Sequence, residues 1–166
     1  MAKKKRVLKD TLIFVGEGEA EKAFLLHLKS IYGTGNPKVT PKSAGGKGPN
    51  NVIGDALGTL ASSGCTRVAA LLDTDLKWPV GLTKEAARNK IPLIGSTPCL
   101  EGFLLDILGI KKTTTNKGCK QILHPMLDGK ETCKMSYSKL FTKDVLDEAR
   151  QRVEELDKMI KIIQGK

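Results

Sequence analysis

The sequence predicts an α/β protein: a mainly parallel central sheet flanked by helices, with a helical extension at the C-terminal end. Three observations carry that expectation. Two short runs rich in strand formers, Thr11–Val15 and Arg67–Leu72, have the continuous apolar character of buried central strands. Each ends in a turn signal, Gly16-Glu17-Gly18 or Asp73-Thr74-Asp75, and segments of helical spacing alternate with the strand candidates. At 166 residues the chain is one domain, or one domain plus an appendage, that needs no disulfide or structural metal to fold.

The elements follow in order. Residues 1–10 form a basic lead-in. After the first strand, Glu19 to Leu28 has helical spacing, with acidic residues in the first turn where the helix dipole favours them. Lys38–Ser43 reads as a strand placed near an edge by Pro41. Ala44–Asn50 reads as a flexible glycine loop that does not satisfy G-x-x-x-x-G-K-[ST], which excludes a P-loop NTPase. A helix is expected over Asn51–Ser62, a short one over Thr83–Asn89, and an edge strand over Lys90–Gly95. Cys99–Leu108 reads as a mostly buried helix stopped by Gly109. These elements make an α/β unit over residues 11–110. Residues 111–166 form the helical extension packed on it. The extension begins basic and Thr-rich, turns helical near Lys117–Leu127, and ends in one helix over Lys143–Ile163. The apolar positions of that helix, Val145, Ala149, Val153, Leu156, Ile160 and Ile163, make a near-heptad stripe. Packing on the sheet is the favoured reading of the stripe, and a homodimer helix is the alternative.

Charge narrows the function. Twenty-eight Lys and Arg against eighteen Asp and Glu give +10, which points to a polyanion, with nucleic acid ahead of a membrane surface. Aromatics at 4% argue against recognition by many stacked bases. The longest apolar run, Cys99–Ile110, is broken by Glu101 and Asp106 and is too short to span a bilayer. The four cysteines are scattered with no C-x-x-C pair, which disfavours zinc and fits a reduced, cytoplasmic protein.

Against that basic background, acids stand where catalysis would place them. Glu17 follows the first strand, Asp73 and Asp75 follow another, and Glu101 opens the helix after a third. Parallel α/β sheets bind ligands beyond the carboxyl ends of their strands. Clustered carboxylates repel one another, and a magnesium ion held by one or two of them removes the conflict while engaging substrate phosphate. Each motif alone reads first as a helix-start acid or a capped turn, and only together, in this order at these strand ends, do they favour a site. Lys42, Lys47, Lys111, Lys112, Lys117 and Lys120 are the candidate backbone contacts for nucleic acid, Lys47 first among them for its glycine loop. His27, His124 and Tyr137 read as structural.

The run Leu12–Glu21 resembles the Toprim signature, a hydrophobic strand followed by E-G-x-x-E, and Ala70–Asp75 resembles its second signature, a strand ending in D-x-D. Ser96–Leu105 is similar to the N-P-C-F-E-x-W-L-L block of the RloB-like branch, with Thr97 for the Asn and Gly102 for a bulky residue. The resemblance spans residues 11 to about 108. It implies a Toprim-like sheet and a Mg2+ (or Mn2+) site. Glu17 would be the general acid/base at the metal, Asp73 and Asp75 the metal pair, Glu101 a further catalytic acid, and Glu21 a support that orients the turn. The expected activity is a magnesium-dependent nuclease, or related phosphodiester transfer, on DNA or RNA in prokaryotic defence or mobile elements. A strand-passage enzyme would need more domains and a selected tyrosine. The alternative is a non-catalytic nucleic-acid-binding module or a subunit of a larger defence complex, with a partner ATPase among the candidates.

Overall fold

A computed structural model describes residues 2–3 and 9–166. Most of the basic lead-in over residues 1–10 therefore lies outside the described residues. Four parallel strands, β1 (Thr11–Gly16), β2 (Lys38–Ser43), β3 (Arg67–Asp73) and β4 (Leu93–Ser96), form one sheet in the order β2-β1-β3-β4. The two most apolar runs take the centre, where both faces are covered. The strands that contain or follow a proline take the edges.

Side chains alternate across the sheet, as a strand requires. Leu12, Phe14, Val39, Ala69, Leu71 and Ile94 face one layer of helices, and Val15, Val68, Ala70 and Leu72 face the other. Helix α1 (Glu19–Tyr32) packs on the first face. Helices α2 (Gly48–Ser62) and α3 (Val80–Arg88) pack on the second. Helix α4 (Leu100–Leu108) returns to the first face, followed by α5 (Asn116–Leu123), a 3-10 turn over His124–Met126, α6 (Lys143–Ala149) and α7 (Glu154–Ile163). Cys119, Leu123, Tyr137, Phe141, Leu146 and Leu156 share one core with Phe24 and Phe103, so residues 111–166 complete the first layer.

Several boundaries differ from the sequence expectation, each for a physical reason. The last helix is two. The chain turns over residues 150–153, because Arg152 donates to the carbonyls of Asp106 and Ile107 at 2.6 and 2.7 Å and Arg150 turns back onto Asp157 at 2.7 Å. All six stripe positions still pack inward, and Leu156, Met159, Ile160 and Ile163 are fully buried. The stripe therefore packs on the protein's own core, which is the favoured reading of it. Strand β4 begins at Leu93 because Lys90 adopts φ 57° to end α3, with Ile91 N–H on Ala86. Helix α2 begins at Gly48, three residues early, with Pro49 in its first turn where a missing N–H costs nothing. The preceding glycine loop is pinned, since Asn51 Nδ2 donates to the carbonyls of Ala44 and Gly46 at 2.8 and 2.9 Å. Among the described residues no helix is long and apolar enough to cross a membrane.

The strand order fixes where a ligand belongs. The chain leaves β1 towards β2 through α1 on one face, and leaves β3 towards β4 through α3 on the other. Strands β1 and β3 are neighbours whose connections diverge, so a crevice opens beyond their carboxyl ends.

Candidate functional site

Glu17 leaves β1 at that crevice. Its backbone N–H donates to Leu71 on β3 at 3.1 Å, and its Oε2 accepts the backbone N–H of Asp73 at 2.8 Å. Two acids 56 positions apart in sequence thus meet at the ends of adjacent strands. Asp73 is fixed further: Ser96 Oγ at the end of β4 donates to its Oδ1 at 3.1 Å, and Trp78 Nε1 donates to its carbonyl at 2.9 Å. Trp78 lies over Gly95, where a Cβ would come within 2.7 Å of Thr74 and 3.3 Å of the indole.

Glu21 reaches the same crevice from α1. It is buried, and its Oε2 accepts the Gly18 N–H at 2.9 Å, which orients the β1–α1 turn. Gly16 permits that approach, because a Cβ there would stand 2.7 Å from Glu21 Cβ. Burial raises the Glu21 carboxyl above its usual range, with the charges of Glu101 and Glu17 adding to it. The Asp73 carboxyl is pushed up to about 8, first by burial, then by Glu17, Glu21 and Asp75, against the opposing Ser96 hydrogen bond.

The remaining predicted acids are held by other partners. Asp75 is exposed at the rim; its Oδ1 accepts Leu76 N–H at 3.0 Å and its Oδ2 accepts Asn116 Nδ2 at 2.9 Å. Glu101 is buried at the start of α4, near enough for its charge to act on Glu21, but its Oε1 bonds His124 Nε2 at 2.8 Å. Gly102 beside it meets Thr97 O and Pro98 Cδ at 2.5 and 2.6 Å from an ideal Cβ, so no larger residue fits this turn as built. The thiol of Cys99, which precedes α4, is pushed up to about 12 by burial and is inert as a nucleophile.

The six lysines divide. Lys42 is held by Asp55 at 2.8 Å and Thr59 at 3.1 Å, and Lys112 by Asp106 at 2.6 Å and the Thr97 carbonyl at 2.8 Å. Lys47, Lys111, Lys117 and Lys120 are exposed. Lys47 precedes α2 in a left-handed conformation within the pinned loop, and Gly46 N–H of that loop donates to the Glu17 carbonyl at 2.8 Å. Lys117 and Lys120 stand on α5, which carries Asn116 at one end against Asp75. His27 and Tyr137 serve the core: His27 Nε2 donates to the Phe141 carbonyl at 2.6 Å, and the Tyr137 hydroxyl donates to the Glu131 carbonyl.

His124 is the residue sequence reasoning placed among the structural ones and the fold places beside an acid. The only sequence signal for it is that Asn116, Lys120 and His124 repeat at i, i+4, i+8, one helix face.

Hard oxygen donors at the crevice suit a hard dication. Among the described residues, Glu17 Oε1 and Asp73 Oδ2 take no hydrogen bond from the protein. No three Asp, Glu, His or Cys side chains among the described residues gather as a ready cage. A pair of carboxylates is the complement that magnesium uses when water and substrate phosphate fill its other positions. In comparison with known proteins, the chain matches no family model, no curated protein and no solved structure.

Proposed function

We propose that this chain is a magnesium- or manganese-dependent nuclease, or a related phosphodiester-transfer protein, acting on DNA or RNA as a Toprim-like protein of the RloB-like branch. The observation that carries the reading is the meeting of Glu17 and Asp73 across the β1–β3 switch point, bridged by the 2.8 Å hydrogen bond from Asp73 N–H. Asp73 Oδ2 would hold the metal, with Asp75 entering from the rim once its bond to Asn116 is exchanged and Glu17 Oε1 facing the same crevice. Bound there, the dication would orient a phosphodiester and offset the charge that develops on it.

The protein's own groups do the rest. Glu17, with one oxygen fixed by backbone and the other open to the crevice, is placed to move a proton to or from water or the leaving oxygen. Glu21 stiffens the turn that aims Glu17. Exposed Lys47, Lys117 and Lys120 supply the positive field around an acidic floor, which draws the polyanion in without neutralising the carboxylates. The +10 charge is the support for nucleic acid as the polyanion.

Incubation with single- and double-stranded DNA and RNA, in Mg2+, Mn2+ or EDTA, tests this. The expected result is cleavage in metal only, reduced at least about a hundredfold in Glu17→Gln and in Asp73→Asn, the range for loss of a positioned acid-base or charge-stabilising group. Salt-dependent binding with no turnover in any metal would instead identify a binding module or a subunit that needs its partner.

A further inference from the structure

We propose that the face of α5 and the turn after it form a phosphate-binding pocket, with Lys117, Lys120 and His124 as its ligating side chains and Glu101 as the residue that positions His124. The pocket rests on the nuclease reading for its biological ligand, one phosphate of the nucleic acid next to the one processed at Glu17 and Asp73.

An open cavity of about 600 Å3 is lined by Lys117, Lys120, Gln121, His124 and Pro125. Its basic side chains all come from one short stretch, because residues three and four apart on a helix share a face. The pocket is anchored to the carboxylate site at both ends. Asn116 at the start of α5 bonds Asp75, and His124 just past its end bonds Glu101, whose charge reaches Glu21. A strand lying along α5 therefore runs beside the acidic crevice.

The His124 ring is what makes this more than two surface lysines. Glu101 is buried, with a side chain only 7% exposed, whereas the imidazole it holds is 32% exposed. A buried carboxylate bonded at 2.8 Å fixes the orientation of the ring, as an outer carboxylate does for a metal-bound histidine. Nδ1 takes no hydrogen bond among the described residues. An imidazolium donating from Nδ1 to a phosphate oxygen would have its charge balanced by Glu101 behind it. Lys117 and Lys120 add the two mobile ammonium groups that suit phosphate as point charges. Neither lysine is held in an ion pair among the described residues, in contrast to Lys42 and Lys112.

The chain has two histidines, so the test is direct. Imidazole NMR signals of the metal-free protein in EDTA are assigned with His124→Gln and followed while inorganic phosphate is added at constant ionic strength. The pocket predicts a saturable shift of the His124 signals, no shift of buried His27, and loss of the effect in Lys117→Ala/Lys120→Ala. A short single-stranded oligonucleotide should move the same signals at roughly tenfold lower concentration, since adjoining phosphates bind neighbouring lysines. No saturable shift, equal movement of both histidines, or an undiminished shift in the double variant would overturn the pocket. A shift with inorganic phosphate but none with the oligonucleotide would overturn its role in holding a polymer. Because no metal or turnover is involved, these outcomes stand apart from success or failure of the cleavage assay.

Discussion

Asp73→Asn is expected to raise the melting temperature of the metal-free protein at pH 8, and to abolish the stabilisation that Mg2+ or Mn2+ confers on the native sequence. The native carboxyl is pushed up to about 8 by burial and by Glu17, Glu21 and Asp75, whereas an unfolded Asp titrates near 4. Below pH 4 both states hold the proton and the site costs nothing. Between about pH 4 and 8 the unfolded chain releases the proton while the folded chain retains it, so stability falls as pH rises through that window. Above about 8 the full cost is present, on the order of a few kcal/mol, because each tenfold difference in proton affinity between the two states is worth about 1.4 kcal/mol. Asparagine keeps an oxygen for the Ser96 hydroxyl and carries no charge, so it removes that cost. For a domain of this size the gain is roughly 5 °C or more. The gap between variant and native protein should close as pH is lowered towards 4. A dication binds only the folded native site, and raises its melting temperature by mass action. Thermal melts of both proteins from pH 4 to 8, with EDTA and with metal, check each part. A variant no more stable than the native protein at pH 8 would contradict the acidic-crevice account.

The other large effect lies in the core. Phe24→Ala should destabilise the fold by about 3–5 kcal/mol, the usual cost of emptying a buried phenylalanine site. Phe24 on α1 is fully buried, and its ring meets Phe103 at 6.3 Å, Tyr137 at 5.7 Å and Phe141 at 5.8 Å, each nearly edge-on. Those partners come from α4 and from the segment between α5 and α6, so one ring joins the β1–α1 unit to the C-terminal third. Urea unfolding followed by tryptophan fluorescence, from the single Trp78, and by far-ultraviolet circular dichroism measures the loss. A change below about 1 kcal/mol would mean that the C-terminal segment is not built into the core.

What could be read from the sequence follows from burial. Strands β1 and β3 were legible because a strand covered on both faces must be apolar throughout, and Pro41 marked β2 as an edge. The acids at their ends were legible as strand-end residues. Their meeting was an expectation from the parallel-sheet rule and the resemblance, whereas the bond that joins them depends on strand order, and a hydrogen bond across 56 positions leaves no local trace. The split of the last helix did leave one: Glu154, Glu155 and Asp157 are first-turn acids of a new helix, but the unbroken apolar stripe outweighed them. The pinning of the glycine loop by Asn51 and the joining of Glu101 to His124 are tertiary contacts without a periodic signature. Gly102 shows the converse case, in which a residue that departs from the RloB-like block is explained by the close approach of Thr97 and Pro98.

The most direct measurement is a crystal grown in EDTA, soaked in manganese and read for anomalous density. A single strong peak between the carboxylates of Glu17 and Asp73, absent from Asp73→Asn crystals treated alike, is the predicted result. Manganese bound elsewhere while that crevice stays empty, or a peak unchanged in the variant, would contradict the account.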